Sequence, residues 1–341
     1  MSAPAPFSAE AVQRRLDSLA KPPGSLGRLE RLALRLAETQ GRPDPETRPR
    51  RLLVFAGDHG VVAEGVGLWP SEVTAAVMRL ALEGRSASAA LARSAGAEFV
   101  LVDAGSRAPS SGAREGHRDW RVARGTANLA RGPAMTPERL DAALALGAHA
   151  AQEAAAAGVR VLALGEIGIG NTTAAACLAA LLTGAEPGAV VGPGAGATEA
   201  SLARKRAVVA EAVARARPLL ERDPRAAIAS VAGYEIAALA GCIAAAADRR
   251  VTVALDGFVV GAAALVARAI FGPGALGTAI AAHRGAEPGH AAVLAGLGLE
   301  PFLEWGLRLG EGTGALLLLP LLDAAAALLR DVATLAEATG G

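Results

Sequence analysis

The sequence predicts an α/β protein in which a parallel sheet is covered by helices on both faces. Two observations predict this fold class. Short runs rich in β-branched residues recur and end at glycine, and long Ala-, Leu- and Arg-rich stretches with helical spacing separate them. Strands that alternate with helices build parallel sheets with two buried faces. The 341 residues suffice for one large domain or two ordinary ones.

The strands and helices can be located from these patterns. Five strands are predicted, namely RLLVFAG (51–57), EFVLVDAG (98–105), VRVLALG (159–165), AVVG (189–192) and VTVALDG (251–257). Thr136 followed by Pro137 predicts the N-cap and first turn of a helix. Ligands of such sheets bind beyond the carboxyl ends of the strands. These ends carry the uncommon polar residues, in AGDHG, VDAG, GEIGIGNTT, GPGAG and ALDGF, so we expect the functional site there.

The two ends of the chain differ from its centre. Residues 1–45 and roughly 300–341 contain helix patterns without a strand candidate. We therefore predict a large α/β domain, residues 46–300, and a small helical domain formed by residues 1–45 with residues 301–341.

Composition and charge restrict the class of protein. Hydrophobic residues make up 52% of the chain but aromatic residues only 3%, so the core must consist mainly of Ala, Val and Leu. The formal net charge is +1 and the arginines are scattered, which disfavours a nucleic-acid-binding surface. Cys177 and Cys242 lie in Ala-rich helical patterns and are predicted to be buried free thiols, which fits a reducing cytosol.

Two segments bear on a possible membrane association. The N-terminal residues MSAPAPFSAEAVQRR contain no apolar stretch typical of a signal peptide. Residues 226–247 are largely apolar, but Glu235 lies among them, and a carboxylate within a span costs about 3 kcal/mol on insertion scales. We therefore expect a buried segment of a cytoplasmic protein rather than a membrane span.

The stretch LGEIGIGNTT (164–173) is the best candidate for a ligand-binding turn. Three glycines permit close approach of a ligand to the backbone, namely Gly165, Gly168 and Gly170. The free N–H groups of the following helix favour an anion such as phosphate. Three polar residues could cap that helix, namely Asn171, Thr172 and Thr173. The stretch matches neither a Walker loop nor G-x-G-x-x-G, and a tight turn without a ligand is the alternative.

A second glycine turn occurs in VVGPGAGATEASLARK (190–205). The helix that follows it carries Lys205, whose mobile point charge suits a phosphate. The alternative is a flexible loop with a solvated lysine.

Asp58 and His59 could bind a metal, but no further His or Cys lies nearby at ligand spacing, and HRGAEPGH (283–290) lacks a helical metal pattern. No metal site is expected.

The stretch RLGEGTGA (308–315) sets Glu311 among glycines, directly before an apolar run. Glycines remove bulk, so a planar ligand could approach the carboxylate. Apolar neighbours would raise the pKa of this carboxyl toward the working range of a general base. A solvated loop carboxylate is the alternative.

Eight blocks, in the same order along the chain, carry a resemblance to a known family. They are KPPGSLGRLERLA (21–33), FAGDHGVVAEG (55–65), WPSEVT (69–74), GTANLARGPAMT (125–136), GEIGIGNTT (165–173), EIAALAG (235–241), LDGFVVGAAAL (255–265) and RLGEGTGA (308–315). From about residue 21 onward the chain resembles nicotinate-nucleotide:5,6-dimethylbenzimidazole phosphoribosyltransferases, which prepare the lower ligand of cobalamin. The resemblance implies a Rossmann-like sheet domain binding nucleotide and base, and a small helical domain from both chain ends with Glu311 at the junction. It also implies a homodimer without metal or cofactor.

The resemblance further implies a reaction and a set of site residues. The phosphoribosyl group of nicotinate mononucleotide would pass to 5,6-dimethylbenzimidazole, giving α-ribazole 5′-phosphate and nicotinate. The catalytic glutamate of the family falls on Glu311, which would deprotonate the base as it attacks ribose C1′. Phosphate and ribose contacts are implied for Gly168, Gly170, Asn171, Thr172, Gly194, Gly196 and Lys205. Contacts with the base are implied for Trp69, Val77, Glu166, Ile167, Leu309, Gly310 and Gly312.

The chain departs from the family pattern in four places. GPGAG, with Pro193 and Ala195, stands where G-R-G-T-G is usual, and Gly285 stands where serine is usual. Ala76 and Val77 stand where a glutamine is common, and GRSASAALAR (84–93) differs from the usual G-G-A-A-I pattern. Two alternatives therefore stay open. One is a diverged relative that uses another base, and the other is a non-catalytic protein that binds a nucleotide or a base.

Overall fold

The computed structural model describes residues 7–109 and 115–340. Within them the chain forms one parallel sheet of six strands in the order β3-β2-β1-β4-β5-β6. The strands are β1 Arg50–Gly57, β2 Glu98–Gly105, β3 His117–Asp119, β4 Val161–Ile167, β5 Thr252–Leu255 and β6 Ala279–Ala281. The strand order reverses between β1 and β4. From β1 the chain continues to β2 on one side of this pair, and from β4 it continues to β5 on the other side. The carboxyl ends of such a pair flank a crevice where ligands bind.

Helices cover both faces of this sheet. In chain order they are α1 Ala9–Ser18, α2 Arg28–Gln40, α3 Glu72–Leu82, α4 Ala87–Ala95, α5 Pro137–Ala156, α6 Asn171–Thr183, α7 Pro187–Val190, α8 Glu199–Leu220, α9 Pro224–Ala229, α10 Tyr234–Asp248, α11 Phe258–Phe271, α12 Gly289–Leu297, α13 Thr313–Asp331 and α14 Leu335–Thr339. Short 3₁₀ helices occupy Gly60–Glu64 and Pro273–Leu276. The hydroxyl of Thr136 accepts a hydrogen bond at the start of α5, which confirms the predicted N-cap.

Alternate side chains of each strand enter two different cores. On β1, Leu53 and Phe55 pack with the larger core, which contains α5, α6 and α8–α12. Leu52 and Val54 point the other way and pack with α1–α4 and α13. Successive strand side chains face opposite sides, so a strand buried on both faces reads as a continuous apolar run. This arrangement explains the unbroken sequence LLVFA.

Four of the five predicted strands are confirmed, and one prediction is wrong. The predicted strand 189–192 is instead the single turn α7 followed by a loop, because Pro187 supplies the fixed φ of a helical first turn. The sequence reading also missed β3 and β6, each of which has three residues and lies at an edge of the sheet.

The helices of the two chain ends pack together on one face of the sheet. α1, α2 and α13 share a single apolar core with β1 and β4. Leu19 pairs with Thr334 in an isolated antiparallel bridge, and the Ala20 N–H donates to the Ala333 carbonyl at 2.8 Å. The division into residues 46–300 and residues 1–45 with 301–341 as separate domains remains a prediction.

Buried segments account for the apolar stretches of the chain. Cys177 and Cys242 are free and fully buried, as predicted. Residues 226–247, the segment that we expected to be buried, form parts of α9 and α10 inside the larger core. Among the described helices, α13 alone is long and apolar enough to cross a membrane, and more than half of its apolar window is buried inside the fold. Core helices share this length and composition.

Candidate active site

Two adjoining cavities open at the carboxyl ends of β1 and β4. The larger has a volume of about 220 Å³ and the smaller about 50 Å³. Predicted site residues on the larger cavity are Trp69, Val77, Glu166, Ile167, Gly168, Asn171, Thr172, Gly194, Leu309, Gly310 and Glu311. Predicted site residues on the smaller cavity are Gly168, Gly170, Asn171, Thr172, Gly196, Lys205 and Trp69. The turn at 168–172 forms the wall that the two cavities share.

Gly312 is the one predicted site residue that lines neither cavity. It lies behind the wall of the larger cavity, and its N–H donates to Asp256 Oδ2 at 3.1 Å. A Cβ at Gly165 would overlap the backbone of Glu311 and Gly312. The turn at Glu311 therefore touches strand β4 directly, because Gly165 has no side chain.

Glu311 lies in a backbone turn that is left-handed at three successive residues. Gly310, Glu311 and Gly312 have φ values of 83°, 58° and 81°. Asp256 at the end of β5 holds the turn, since its carboxylate accepts hydrogen bonds from three backbone N–H groups at 2.7–3.2 Å, those of Gly312, Gly314 and Ala315. The same contacts cap α13, whose N-cap residue is a glycine without a capping side chain.

The environment of Glu311 makes its carboxyl a stronger base than a solvated one. Burial raises its pKa, and the nearby Asp256 carboxylate raises it further. Opposing these effects, the Ser88 hydroxyl donates to Glu311 Oε2 at 2.9 Å. The side chain reaches the wall of the larger cavity despite this burial.

Glu166 is a second carboxyl on the same cavity. Burial raises its pKa to about 8, and the carboxylates of Asp256 and Glu235 add to this rise. The Asn171 side-chain amide donates to its Oε2. Glu166 is therefore mostly protonated at neutral pH, so it can present a hydrogen-bond donor to the cavity.

The helix that follows the predicted anion turn is not capped by the residues that the sequence predicts. The N-cap of α6 is Gly170, and no side chain caps the helix. Asn171 instead donates to Glu166, and the Thr172 hydroxyl accepts a hydrogen bond from Lys205 Nζ at 2.8 Å. The predicted caps were therefore wrong, and Asn171 and Thr172 instead bond to Glu166 and Lys205.

Lys205 joins the two glycine turns. Its ammonium donates to Thr172 Oγ1 and to the Gly192 carbonyl, both at 2.8 Å, and its side chain is almost fully buried. Burial lowers its pKa to about 8, against the opposing effect of Glu287. Glu287 Oε1 accepts from the Gly194 N–H at 2.9 Å, so the backbone of the second glycine turn bonds to both a buried cation and a carboxylate.

Other polar residues near the strand ends have structural partners. His59 Nε2 lies 2.7 Å from Glu235 Oε1, and both side chains are fully buried. Asp58 Oδ2 accepts from the Arg107 N–H at 2.7 Å. The described residues contain no group of three or more His, Cys, Asp or Glu that could hold a metal ion.

The sequence reading missed three residues of this site. Asp256 lies in ALDGF, at the carboxyl end of a predicted strand, so its position was a usable signal. Glu287 lies in HRGAEPGH, a stretch whose sequence predicts neither a metal site nor a contact with the second glycine turn. Ser88 gave no signal beyond the departure of its segment from the family pattern.

Comparisons with known proteins identify the family and the fold. A family model described as Phosphoribosyltransferase matches residues 1–339. Nicotinate-nucleotide–dimethylbenzimidazole phosphoribosyltransferase of Solidesulfovibrio magneticus is 46% identical over 328 residues, covering 96% of this chain and 92% of the relative. The Pseudomonas putida protein of that name is 45% identical over 329 residues, covering 96% and 93%. The crystal structure of CobT from Thermus thermophilus matches with a TM-score of 0.92 at 46% identity, covering 97% of this chain and 98% of that one.

These matches extend along nearly the whole chain, so they include both cavities and the turns that line them. They confirm the resemblance carried by the eight sequence blocks and the Rossmann-like parallel sheet. The chain is therefore an enzyme of phosphoribosyl transfer and belongs to the nicotinate-nucleotide–dimethylbenzimidazole phosphoribosyltransferase family.

Proposed function

We propose that the protein transfers the phosphoribosyl group of nicotinate mononucleotide to 5,6-dimethylbenzimidazole, with Glu311 as general base. The products are α-ribazole 5′-phosphate, a precursor of the cobalamin lower ligand, and nicotinate. The names of the relatives at about 45% identity support this reaction.

The adjacency of two chemically different cavities is the observation that carries the proposal. The larger cavity has an apolar wall and three carboxyl groups, of which Glu311 and Glu166 lie beside that wall, and this suits a flat aromatic base with a ring N–H. The smaller cavity has glycine turns and Lys205, which suits a phosphate. A ribose that spans the shared turn at 168–172 would bring C1′ next to the base.

The chemistry requires one base and good positioning. The incoming benzimidazole must lose its ring proton when a ring nitrogen bonds to C1′, because the product is a neutral N-substituted benzimidazole. In our proposal Glu311 accepts that proton while the C1′–nitrogen bond to nicotinate breaks. Attack from the face opposite nicotinate inverts β to α through an oxocarbenium-like state.

The leaving group needs no protonation by the enzyme. The ring nitrogen of nicotinate is cationic in the nucleotide and becomes neutral when its bond to C1′ breaks. Holding the two substrates in line therefore supplies much of the rate enhancement. In our proposal the protonated Glu166 donates a hydrogen bond at the edge of the base, and Trp69, Val77, Ile167, Leu309 and Gly310 provide its surroundings.

A turnover assay tests the proposal. Purified protein mixed with nicotinate mononucleotide and 5,6-dimethylbenzimidazole should release nicotinate and form α-ribazole 5′-phosphate, which liquid chromatography with mass spectrometry detects. Absence of both products at micromolar enzyme would exclude the reaction. Tight substrate binding without turnover would instead identify a binding protein.

A second candidate is the same transfer to another base. One observation favours it, since Val73, Val77 and Ile169 give the larger cavity an apolar wall where the family commonly has a glutamine. An equimolar mixture of 5,6-dimethylbenzimidazole, benzimidazole, adenine and p-cresol tests this. A dominant product from another base would support the second candidate.

We also propose that the protein works as a homodimer in the cytoplasm. Buried free thiols at Cys177 and Cys242 are compatible with a reducing compartment. Light scattering after size-exclusion chromatography should give twice the 34.0 kDa of the chain. Cell fractionation with an antibody against the protein tests its location.

A further inference from the structure

We propose that Ser86 and Ser88 form a hydroxyl chain that positions Glu311 and leaves its Oε1 free for the proton of the incoming base. The inference rests on the proposed role of Glu311 as general base. Both serines lie at the start of α4, in the segment that departs from the family pattern. Ser86 is the N-cap of this helix, and its hydroxyl accepts from the Ala89 N–H at 3.1 Å.

The hydrogen bonds of this chain have one consistent direction. The Ser88 hydroxyl donates its only hydrogen to Glu311 Oε2 at 2.9 Å. Ser86 Oγ lies 2.8 Å from Ser88 Oγ, so Ser86 must be the donor of that second bond. Ser86 can donate because its Oγ only accepts the hydrogen bond from the Ala89 N–H, which leaves its own hydroxyl hydrogen available. Both hydroxyl hydrogens therefore point along the chain toward Glu311.

This direction matches a carboxylate better than a carboxylic acid at Oε2. A proton on Oε2 would need an acceptor, and Ser88 could accept it only by turning its own hydrogen away. Burial strengthens the effect, since Ser88 is fully buried and Ser86 almost so. The Ser88 backbone N–H at the start of the nine-residue helix α4 adds to the stabilisation of negative charge.

The Asp256 carboxylate works against the ionisation of Glu311. Asp256 holds the turn from behind and raises the pKa of Glu311. Glu166 and Glu287 face the same cavity, and His283 and Arg308 also line it. The serine chain is the arrangement that opposes burial and Asp256, so a base in this apolar wall can remain ionised at the pH where it must accept a proton.

The two oxygens of Glu311 thus acquire different roles. Oε2 is anchored by the Ser88 hydroxyl, while Oε1 accepts no side-chain hydrogen bond from the described residues and belongs to a side chain that lines the cavity. A hydrogen bond at one oxygen restricts rotation of the carboxylate and favours one orientation of Oε1. Ser88 is therefore a positioning residue, and Oε1 is the atom that takes the proton.

Ser88→Ala tests this role through the pH dependence of turnover. Loss of the hydroxyl should shift the acid limb of the kcat profile to higher pH and lower kcat about tenfold on that limb. The KM for nicotinate mononucleotide should not change. Ser88→Thr, which restores a hydroxyl, should recover part of the loss. Ser86→Ala should shift the profile in the same direction but less, and it carries the same test if Ser88→Ala does not fold.

A measurement that does not depend on activity separates this inference from the proposed function. Carbon-13 titration of protein labelled at glutamate carboxyls gives the Glu311 pKa directly, with the signal assigned by its loss in Glu311→Gln. The pKa should rise in Ser88→Ala. An unchanged pKa would overturn the inference even in an active enzyme, whereas a fully active Glu311→Gln would overturn the base role instead.

Ser230→Ala is the matched control. Ser230 is a buried serine whose hydroxyl donates to the Ala227 carbonyl within its own helical turn. This variant also loses a hydroxyl group from the protein interior, but Ser230 does not line either cavity. Both its pH profile and the Glu311 signal should stay as in the wild type. If Ser230→Ala shifted the pH profile or the Glu311 signal as much as Ser88→Ala does, the effect of Ser88→Ala would be a general loss of packing, and the inference would be overturned.

Discussion

Glu311 owes its chemistry to its backbone as much as to its burial. A left-handed conformation costs a residue with a side chain about 1–2 kcal/mol, so the turn needs external support. Asp256 supplies it through three hydrogen bonds to backbone N–H groups. The resulting turn directs the carboxylate into an apolar cavity wall, where its raised pKa makes it a better proton acceptor.

Glu311→Gln should lower kcat by about 10²- to 10⁴-fold, the range for a lost general base. The amide has nearly the same shape but cannot accept the ring proton. Nicotinate mononucleotide should bind with nearly unchanged affinity in isothermal titration calorimetry. Glu304→Gln is the control, because it removes an exposed carboxylate that pairs with Arg284 on a nearby loop. Near-wild-type turnover of Glu311→Gln would exclude it as the base.

Lys205→Met should weaken nicotinate mononucleotide binding about 10- to 100-fold, since hydrogen bonds to charged groups contribute about 1.5–3 kcal/mol. Methionine fills similar space without the charge. Arg204→Met removes a charge from the adjacent exposed position of α8 and should bind normally. Equal losses in both variants would indicate general electrostatic attraction rather than a phosphate contact. Calorimetry at two salt concentrations distinguishes these outcomes.

The residues of the site were predictable only where local sequence marks them. Glycines surround Glu311 and Glu166, and Lys205 is one of two lysines in an arginine-rich chain, so composition draws attention to each. Ser88 is separated from Glu311 by 223 positions, and nothing in its own segment indicates a carboxylate partner. Their contact exists only because α4 packs beside the start of α13.

At the scale of elements, the predictability of a strand depended on its burial. Central strands are covered on both faces and read as unbroken apolar runs, so they were predicted within about two residues of their observed ends. β3 and β6 lie at the edges and have three residues each, too few for a recognisable pattern. The 189–192 stretch is equally apolar, but Pro187 starts a helical turn and the run is then too short to pair.

Small residues allow helices α5 and α10 to lie so close together that their contact needs no large aromatic side chains. α5 and α10 meet at two glycines, Gly147 and Gly241. A Cβ at Gly147 would overlap the Ala238 carbonyl, and a Cβ at Gly241 would overlap the Leu144 carbonyl. Backbone atoms cannot rotate out of the way as a side chain can. The low aromatic content of the chain is therefore compatible with a dense core.

Gly241→Ala should lower the free energy of unfolding by about 1–3 kcal/mol or more, because the added methyl group overpacks a rigid contact. Gly188→Ala is the control. It makes the same exchange within helix α7, where an added Cβ meets nothing within 4 Å. Urea denaturation of both variants measures the difference. A Gly241→Ala protein as stable as the control would contradict the close approach of the two helices.

At the scale of the molecule, the site depends on strand order. β1 and β4 are adjacent although two strands and three α-helices separate them in sequence. The crevice at their carboxyl ends collects loops from both halves of the chain. Burying polar groups in that crevice changes how proton binding is coupled to folding. Burial raises the pKa of Glu166 to about 8 and lowers that of Lys205 to about 8. It also lowers the pKa of His290 to about 4.

These three groups affect stability in different pH ranges. Between pH 4 and 6.5 the unfolded chain binds a proton at His290 that the folded chain does not, so this group makes stability rise with pH. Between pH 4.5 and 8 the folded chain keeps a proton on Glu166 that the unfolded chain has lost, so stability falls with rising pH. Above pH 8 the unfolded chain holds more protons at Lys205 than the folded chain does, so this group makes stability rise with pH.

The range from pH 6.5 to 8 therefore isolates Glu166 among these three groups, and stability should decline across it. Glu166→Gln keeps the hydrogen-bonding shape but cannot ionise, so the decline should become flatter. Urea denaturation at half-unit pH steps measures the slope in both proteins. Glu304→Gln, which changes an exposed carboxylate, should keep the wild-type slope. A Glu166→Gln protein with an undiminished decline would mean that Glu166 is already ionised at neutral pH, and that it faces the base as an acceptor rather than as a donor.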